Sequence, residues 1–199
     1  ATALRQRGVD ATVRSRRAMT PVVVVLMVAV AAIDLVRPGS ALAGAVALAA
    51  AAAHAARLAQ WQGHRTLRDP IVWILHAAYA WLPIGLALKS LALLGGVAVA
   101  SYWLHALTIG ALATMILGVM TRVSLGHTGR SLQLHRLTVL AYLLLSASVL
   151  VRVFGAAGSW LGYTTVIAVS AALWTAAFAS FLWVYAPILF TPRVTGRSS

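Results

Sequence analysis

Apolar residues in this chain come in long unbroken blocks, with polar residues confined to short stretches between them. Six blocks can be drawn, at about 20–36, 40–60, 69–94, 98–121, 136–154 and 160–189. Each is close to the roughly 20 residues that a helix needs to cross the hydrocarbon of a bilayer. The pattern predicts an all-α fold, a polytopic transmembrane bundle of six helices. The punctuation agrees. Arg37-Pro38-Gly39 ends the first block, and Ser40 is a good N-cap for the second. Asp69-Pro70 opens the third with a capping residue followed by proline at the first helical position. Gly95-Gly96 turns the chain before the fourth, and Pro187 and Pro192 lie near the end of the sixth. The organisation expected is a basic arm over 1–19, a membrane domain over 20–190 and a tail over 191–199.

Charge fixes an orientation for the six spans. Of 16 basic residues, Arg5, Arg7, Arg14, Arg16, Arg17, Arg57, Arg65, Arg68, Arg122, Arg130, Arg136, Arg193 and Arg197 fall on one side, and Arg37, Lys89 and Arg152 on the other. Basic residues gather on the cytoplasmic side of membrane proteins, so both termini are expected there. One span more or fewer would scramble this alternation. The arm then rests on anionic headgroups at about 1 kcal/mol per basic residue. A net charge of +13 could suggest nucleic acid, but these arginines punctuate apolar spans and build no basic face. The partner expected is the lipid bilayer, and no nucleic acid is expected.

Composition narrows the chemistry. The chain has no cysteine, which excludes disulfides, thiolate metal sites and iron–sulfur clusters. It has three aspartates and no glutamate, so hydrolytic acid–base chemistry has few groups to draw on. Histidine remains. His54 and His76 lie near the same side of the second and third spans, each roughly 9–10 Å in from its helix end. Two antiparallel neighbours with histidines at one depth can offer their rings to one haem iron. They can equally be neutral rings hydrogen-bonded to backbone or hydroxyl groups. Pro83, one turn beyond Tyr79, lacks an amide hydrogen and should kink its helix around a cofactor or cavity.

His105 sits nearer the other side and, as a ligand, would belong to a separate metal site. Asp34 is the one carboxylate within a span; it could orient a histidine, but a pair with Arg37 three residues away is the local expectation. Ala106, Gly110, Thr114 and Gly118 form a stripe of small residues that lets a helix, or a flat cofactor, approach closely. His127 lies in a glycine-punctuated segment between Arg122 and Arg130, whose forked donors suit an anion, although a solvated basic loop has the same composition. Met115 and Met120 read as packing, and His64 and His135 as surface residues.

Three segments resemble those of a known family. They are Leu75–Leu86 (LHAAYAWLPIGL), His105–Ala111 (HALTIGA) and Val119–Arg130 (VMTRVSLGHTGR), together with the closing Pro192–Arg197 (PRVTGR). They are similar to the C-terminal half of the NnrS family, bacterial inner-membrane proteins that contain haem and copper and act in the nitric oxide response of denitrification. The resemblance is spread over residues 57–197. It implies a multi-pass inner-membrane protein with haem, of b type, and copper as cofactors, and nitric oxide or a similar small ligand as partner. The family's recurrent histidines fall on His76, His105 and His127, with Arg122 and Arg130 beside the last and His54 a weaker match. The set expected is therefore His54, His76 and His105 for cofactor, His105 and His127 for metal, and Arg122 and Arg130 for an anion. The family is about twice this length, with a histidine-rich motif in its first half that has no counterpart here. The chain, which starts at Ala1, is accordingly expected to be a piece of a longer one, or to work with a missing half or other membrane subunits. Half of a transporter and a cofactor-free scaffold subunit are the rival readings.

Overall fold

The computed structural model describes residues 19–155 and 162–194. Among them are six helices long and apolar enough to cross a membrane. We number them α1 (Met19–Val36), α2 (Ala41–Ala59), α3 (Pro70–Gly95), α4 (Trp103–His127), α5 (Arg136–Phe154) and α6 (Tyr163–Phe190). The basic arm expected over 1–19 falls almost wholly outside the described residues, as does the end of the tail. With six crossings, α1 starts and α6 ends on one face, called here the terminal face; the other is the far face.

Most boundaries follow from the capping chemistry of the sequence. The Ser40 side chain accepts the Ala43 amide at 3.1 Å, closing the start of α2. At Asp69 the cap is made by the main chain, whose carbonyl accepts the amides of Val72 and Trp73 at 2.9 Å each. Gly96 ends α3 in the left-handed region at φ 60°, which glycine reaches without a Cβ penalty. The fourth span departs from expectation. It begins at Trp103, after a short 3₁₀ segment, and continues to His127, past the last apolar run. The backbone keeps its internal hydrogen bonds past the apolar run, so α4 includes Arg122 and Ser124.

Three apolar clusters hold the bundle together, the smallest being Ala106, Val149 and Val153 between α4 and α5. Val30, Ala47, Ala50, Ala51 and Leu86 pack α1 and α2 onto one end of α3. Ile74, Leu117, Tyr142, Leu145, Phe181 and Tyr185 pack α4, α5 and α6 onto its other end. Helix α3 is common to all three, meeting the smallest through Trp81 and Leu88. Its seam with α4 depends on missing side chains: a Cβ on Gly110 would lie 2.6 Å from Cγ of Trp81, and one on Gly118 3.0 Å from Cδ2 of Leu75. Ala106 and Thr114 are also buried, so the small-residue stripe serves helix packing. Bulky residues such as Val24, Val28, Leu48, Leu143 and Trp183 remain exposed, the arrangement lipid requires and water would penalise.

Candidate functional site

The first candidate site lies between α2 and α3, towards the terminal face. His76 is one turn beyond Val72 on α3, and its Nδ1 donates to the Val72 carbonyl at 3.0 Å. A carbonyl only accepts, so in the neutral ring Nδ1 holds the hydrogen and Nε2 is left with a lone pair. The ring is fixed from outside as well. A Cβ on Gly63, in the α2–α3 loop, would meet His76 Cδ2 at 2.8 Å, and Trp61 packs edge-on to the imidazole at 5.9 Å between centroids. His76, Ala77, Ala80, Trp73, Leu58 and Gly63 are among the residues that line a cleft of about 340 Å³. It shares Leu58 and Ala80 with an apolar groove of about 610 Å³ that continues along α2 and α3 past Ala55, Ala51, Pro83 and Ala87. Alanine on both helices keeps this groove open.

His54 does not line this cleft. It is buried, its Nδ1 is 2.7 Å from the Tyr79 hydroxyl, and its Nε2 is buried without a partner. Tyr79 in turn packs on Trp61 at 4.5 Å. The two imidazoles are therefore joined through Tyr79 and Trp61, and among these only Trp61's neighbour His76 lines the cleft. A haem gripped by both rings does not fit this arrangement. A haem held by His76 fits its donor chemistry: a neutral imidazole oriented by a backbone carbonyl, its other nitrogen free beside an apolar groove.

The second candidate lies near the far face, where α4, α5 and α6 meet. Arg152 Nη2 is 3.0 Å from His105 Nε2. Arginine can only donate, so Nε2 is the acceptor and the hydrogen of the neutral ring is on Nδ1. With its lone pair engaged, His105 is not a metal ligand in this arrangement. His105 follows directly into a π-helical stretch, Ala106–Ala113, whose widened turn is closed by Thr114 Oγ1 donating to the Ile109 carbonyl at 3.1 Å. Sequence periodicity gave no sign of this stretch.

The Gly-His-Thr-Gly-Arg segment forms the third. It ends α4 in a Schellman motif: the Gly129 amide donates to Gly126 and the Arg130 amide to Leu125, with Gly129 at φ 71°. The tail docks on this turn. The Val194 amide donates to the Thr128 carbonyl at 3.1 Å, and Arg130 Nη2 donates to Thr191 Oγ1 at 2.7 Å. Arg130 is thus occupied in fastening the end of α6. Arg122 and His127, both exposed, share a concavity of about 370 Å³ with Arg193, which takes the place Arg130 was expected to have. Cations around His127 suit an anion better than a metal ion. Among the described residues no three of His, Asp and Glu converge as a metal site.

One pair was missed and one mistaken. Asp34 does not pair with Arg37, which lies beyond the last turn of α1; it forms an ion pair with Lys89 of α3. Lys89 is 3 % exposed, and its ammonium also sits over the Trp103 ring at 4.7 Å. The sequence pointed to Lys89 only as a far-side charge; its place within a span, six residues from the end of α3, was the available signal.

Comparison with known proteins agrees with the segments singled out above. No curated protein and no solved structure matches the chain. A family model described as NnrS protein matches residues 1–193, which extends the resemblance across all six spans. The chain is a member of the NnrS family.

Proposed function

We propose that this membrane protein binds haem in the groove between α2 and α3 and serves the nitric oxide response that the family's name suggests. One observation carries the reading: His76 is locked by the Val72 carbonyl and Gly63 with its Nε2 lone pair free at the end of an alanine-lined groove. His76 would hold the group, Ala51, Ala55 and Ala80 would flank it, and Arg57, packed over Trp61 at 5.6 Å, would supply a cation for its acidic edge. When bound, haem iron supplies a coordination position for a diatomic ligand. The chain's own part is orientation and exclusion of water. The Val72 carbonyl sets the tautomer of His76, Gly63 lets the α2–α3 loop close on the ring, and the apolar walls keep the dielectric low. His54 and Tyr79 support this from behind through Trp61.

The test is the absorption spectrum of the protein purified from membranes supplied with haem, before and after dithionite. A Soret band is expected, lost in His76→Ala and retained in His54→Ala. Gly63→Val, which pushes a side chain into the imidazole, should weaken the band without removing the protein from the membrane. A band that survives His76→Ala, or a featureless spectrum in the intact protein, overturns the proposal.

A further inference from the structure

The pocket at the far face holds a cation that the chain itself does not neutralise. Of three acidic residues, Asp34 is bound to Lys89, Asp69 starts α3 on the terminal face, and Asp10 lies outside the described residues on the arm. Arg152 therefore has no carboxylate among the described residues. Its Nη2 is used on His105, but its Nη1 is buried with no hydrogen-bond partner. His105 Nδ1, which the Arg152 contact leaves carrying a hydrogen, is likewise buried and unpartnered. Two orphaned donors on adjoining groups are costly in a low-dielectric setting, each by the full desolvation of the group.

Both residues line a cavity of about 330 Å³. Ser148, Ser170, Trp174 and Thr175 add polar edges, and Ile109, Ile167 and Ala171 close it. The two serines are already committed as donors, Ser148 to the Ser170 carbonyl at 2.7 Å and Ser170 to the Ile167 carbonyl at 3.0 Å. Arg152 and His105 both line the cavity, but Nη1 and Nδ1 themselves are covered, so a guest reaches them only by a small turn of the two side chains. Ile109 places the π-helical stretch of α4 in the wall, and such stretches recur at functional sites. A cation is excluded by Arg152, and an apolar guest would leave both donors unmet.

We infer that this pocket is an oxyanion-binding site, taking a small anion with two or more acceptor oxygens between Arg152 and His105. On binding, the two side chains turn so that the oxygens accept from Arg152 Nη1 and His105 Nδ1, the two donors without partners. The site is independent of the α2–α3 groove, so haem binding and anion binding can fail separately. Its oxyanion can be a free inorganic ion or the phosphate of a lipid headgroup at the membrane edge, since Arg152 is two residues from the end of α5.

Calorimetric titration with sodium nitrate in a chloride-free gluconate buffer distinguishes these. For a free anion, saturable binding is expected that weakens at least tenfold in Arg152→Gln, as loss of a charge-assisted hydrogen bond predicts. His105→Phe should weaken it several-fold. Ala171→Phe, which fills the cavity and leaves both donors in place, should abolish it, and this variant guards against misfolding of the charge variants. For a lipid source, nitrate gives no heat, but native mass spectrometry finds one phosphatidylglycerol retained by the wild-type protein and lost from Arg152→Gln and Ala171→Phe. No nitrate binding and no retained phospholipid, or binding that is unchanged in both variants, overturns the inference.

Discussion

Lys89 and Arg152 are both cations near the far face of the same bundle, and the chain treats them in opposite ways. Lys89 is closed off. Asp34 takes its charge and Trp103 covers its ammonium. Arg152 is left without a counter-charge, with a neutral histidine on one nitrogen, no partner on the other, a tyrosine ring 5.8 Å from its guanidinium, and a cavity that its side chain lines. A buried ion pair is held by its partner, and removing either half leaves a bare charge in a poor solvent. A buried cation without a partner calls for one from outside. The contrast teaches that basic residues at one depth need not share a role, and that the acid count of a sequence says how many of them are closed.

The comparison can be broken at several points. The largest effect is expected from Asp34→Ala, which strands Lys89. It should destabilise the bundle by roughly 3 kcal/mol in detergent unfolding, with most of this recovered in Asp34→Ala/Lys89→Met. An unchanged unfolding curve for the single variant would mean that Lys89 reaches water or headgroups and is not closed at all. Gly110→Leu comes next. It drives a side chain into Trp81 on the seam that positions both Trp103 and His105, at a cost of about 1–3 kcal/mol. If the two cations hang on one seam, this variant should also impair nitrate or phospholipid binding at Arg152. Trp103→Leu removes the ring over Lys89 and should cost about 1 kcal/mol, with no effect on the Arg152 pocket. The smallest effect belongs to Arg152→Gln, whose stability should change by less than about 1 kcal/mol, because the loss of one hydrogen bond is offset by removing an unpaired charge. A penalty comparable to that of Asp34→Ala would show that Arg152 is as structural as Lys89.

The α2–α3 groove and the terminal-face turn show how far reading along the chain could go. The sequence puts His54 and His76 at one depth by helical rise, which converts residue number into height. Which way each ring points was not legible, since it depends on Tyr79 and Trp61, contributed by two different segments. Arg122 and Arg130 read together as an anion site because their forked donors flank His127 in a glycine-punctuated segment. The Schellman turn sends Arg130 to Thr191 and brings Arg193 to Arg122 instead, a swap set by where the tail docks. Pro83 was expected to mark a cavity, and it does line the groove. The π-helical stretch of α4 left no trace, because Ala106–Ala113 is as compatible with an ordinary helix.

What the sequence determined by itself is the number and order of the helices and the face of the bundle at which each loop lies. Lipid offers no hydrogen bonds, so an apolar run of about 20 residues has one stable backbone conformation, whatever surrounds it. The partners of its few polar groups were decided only by the tertiary structure. A lysine finding an aspartate 55 positions away, or an arginine finding a histidine 47 positions away, depends on how α1 meets α3 and how α4 meets α5. Those meetings are set by small gaps such as the one Gly110 leaves for Trp81.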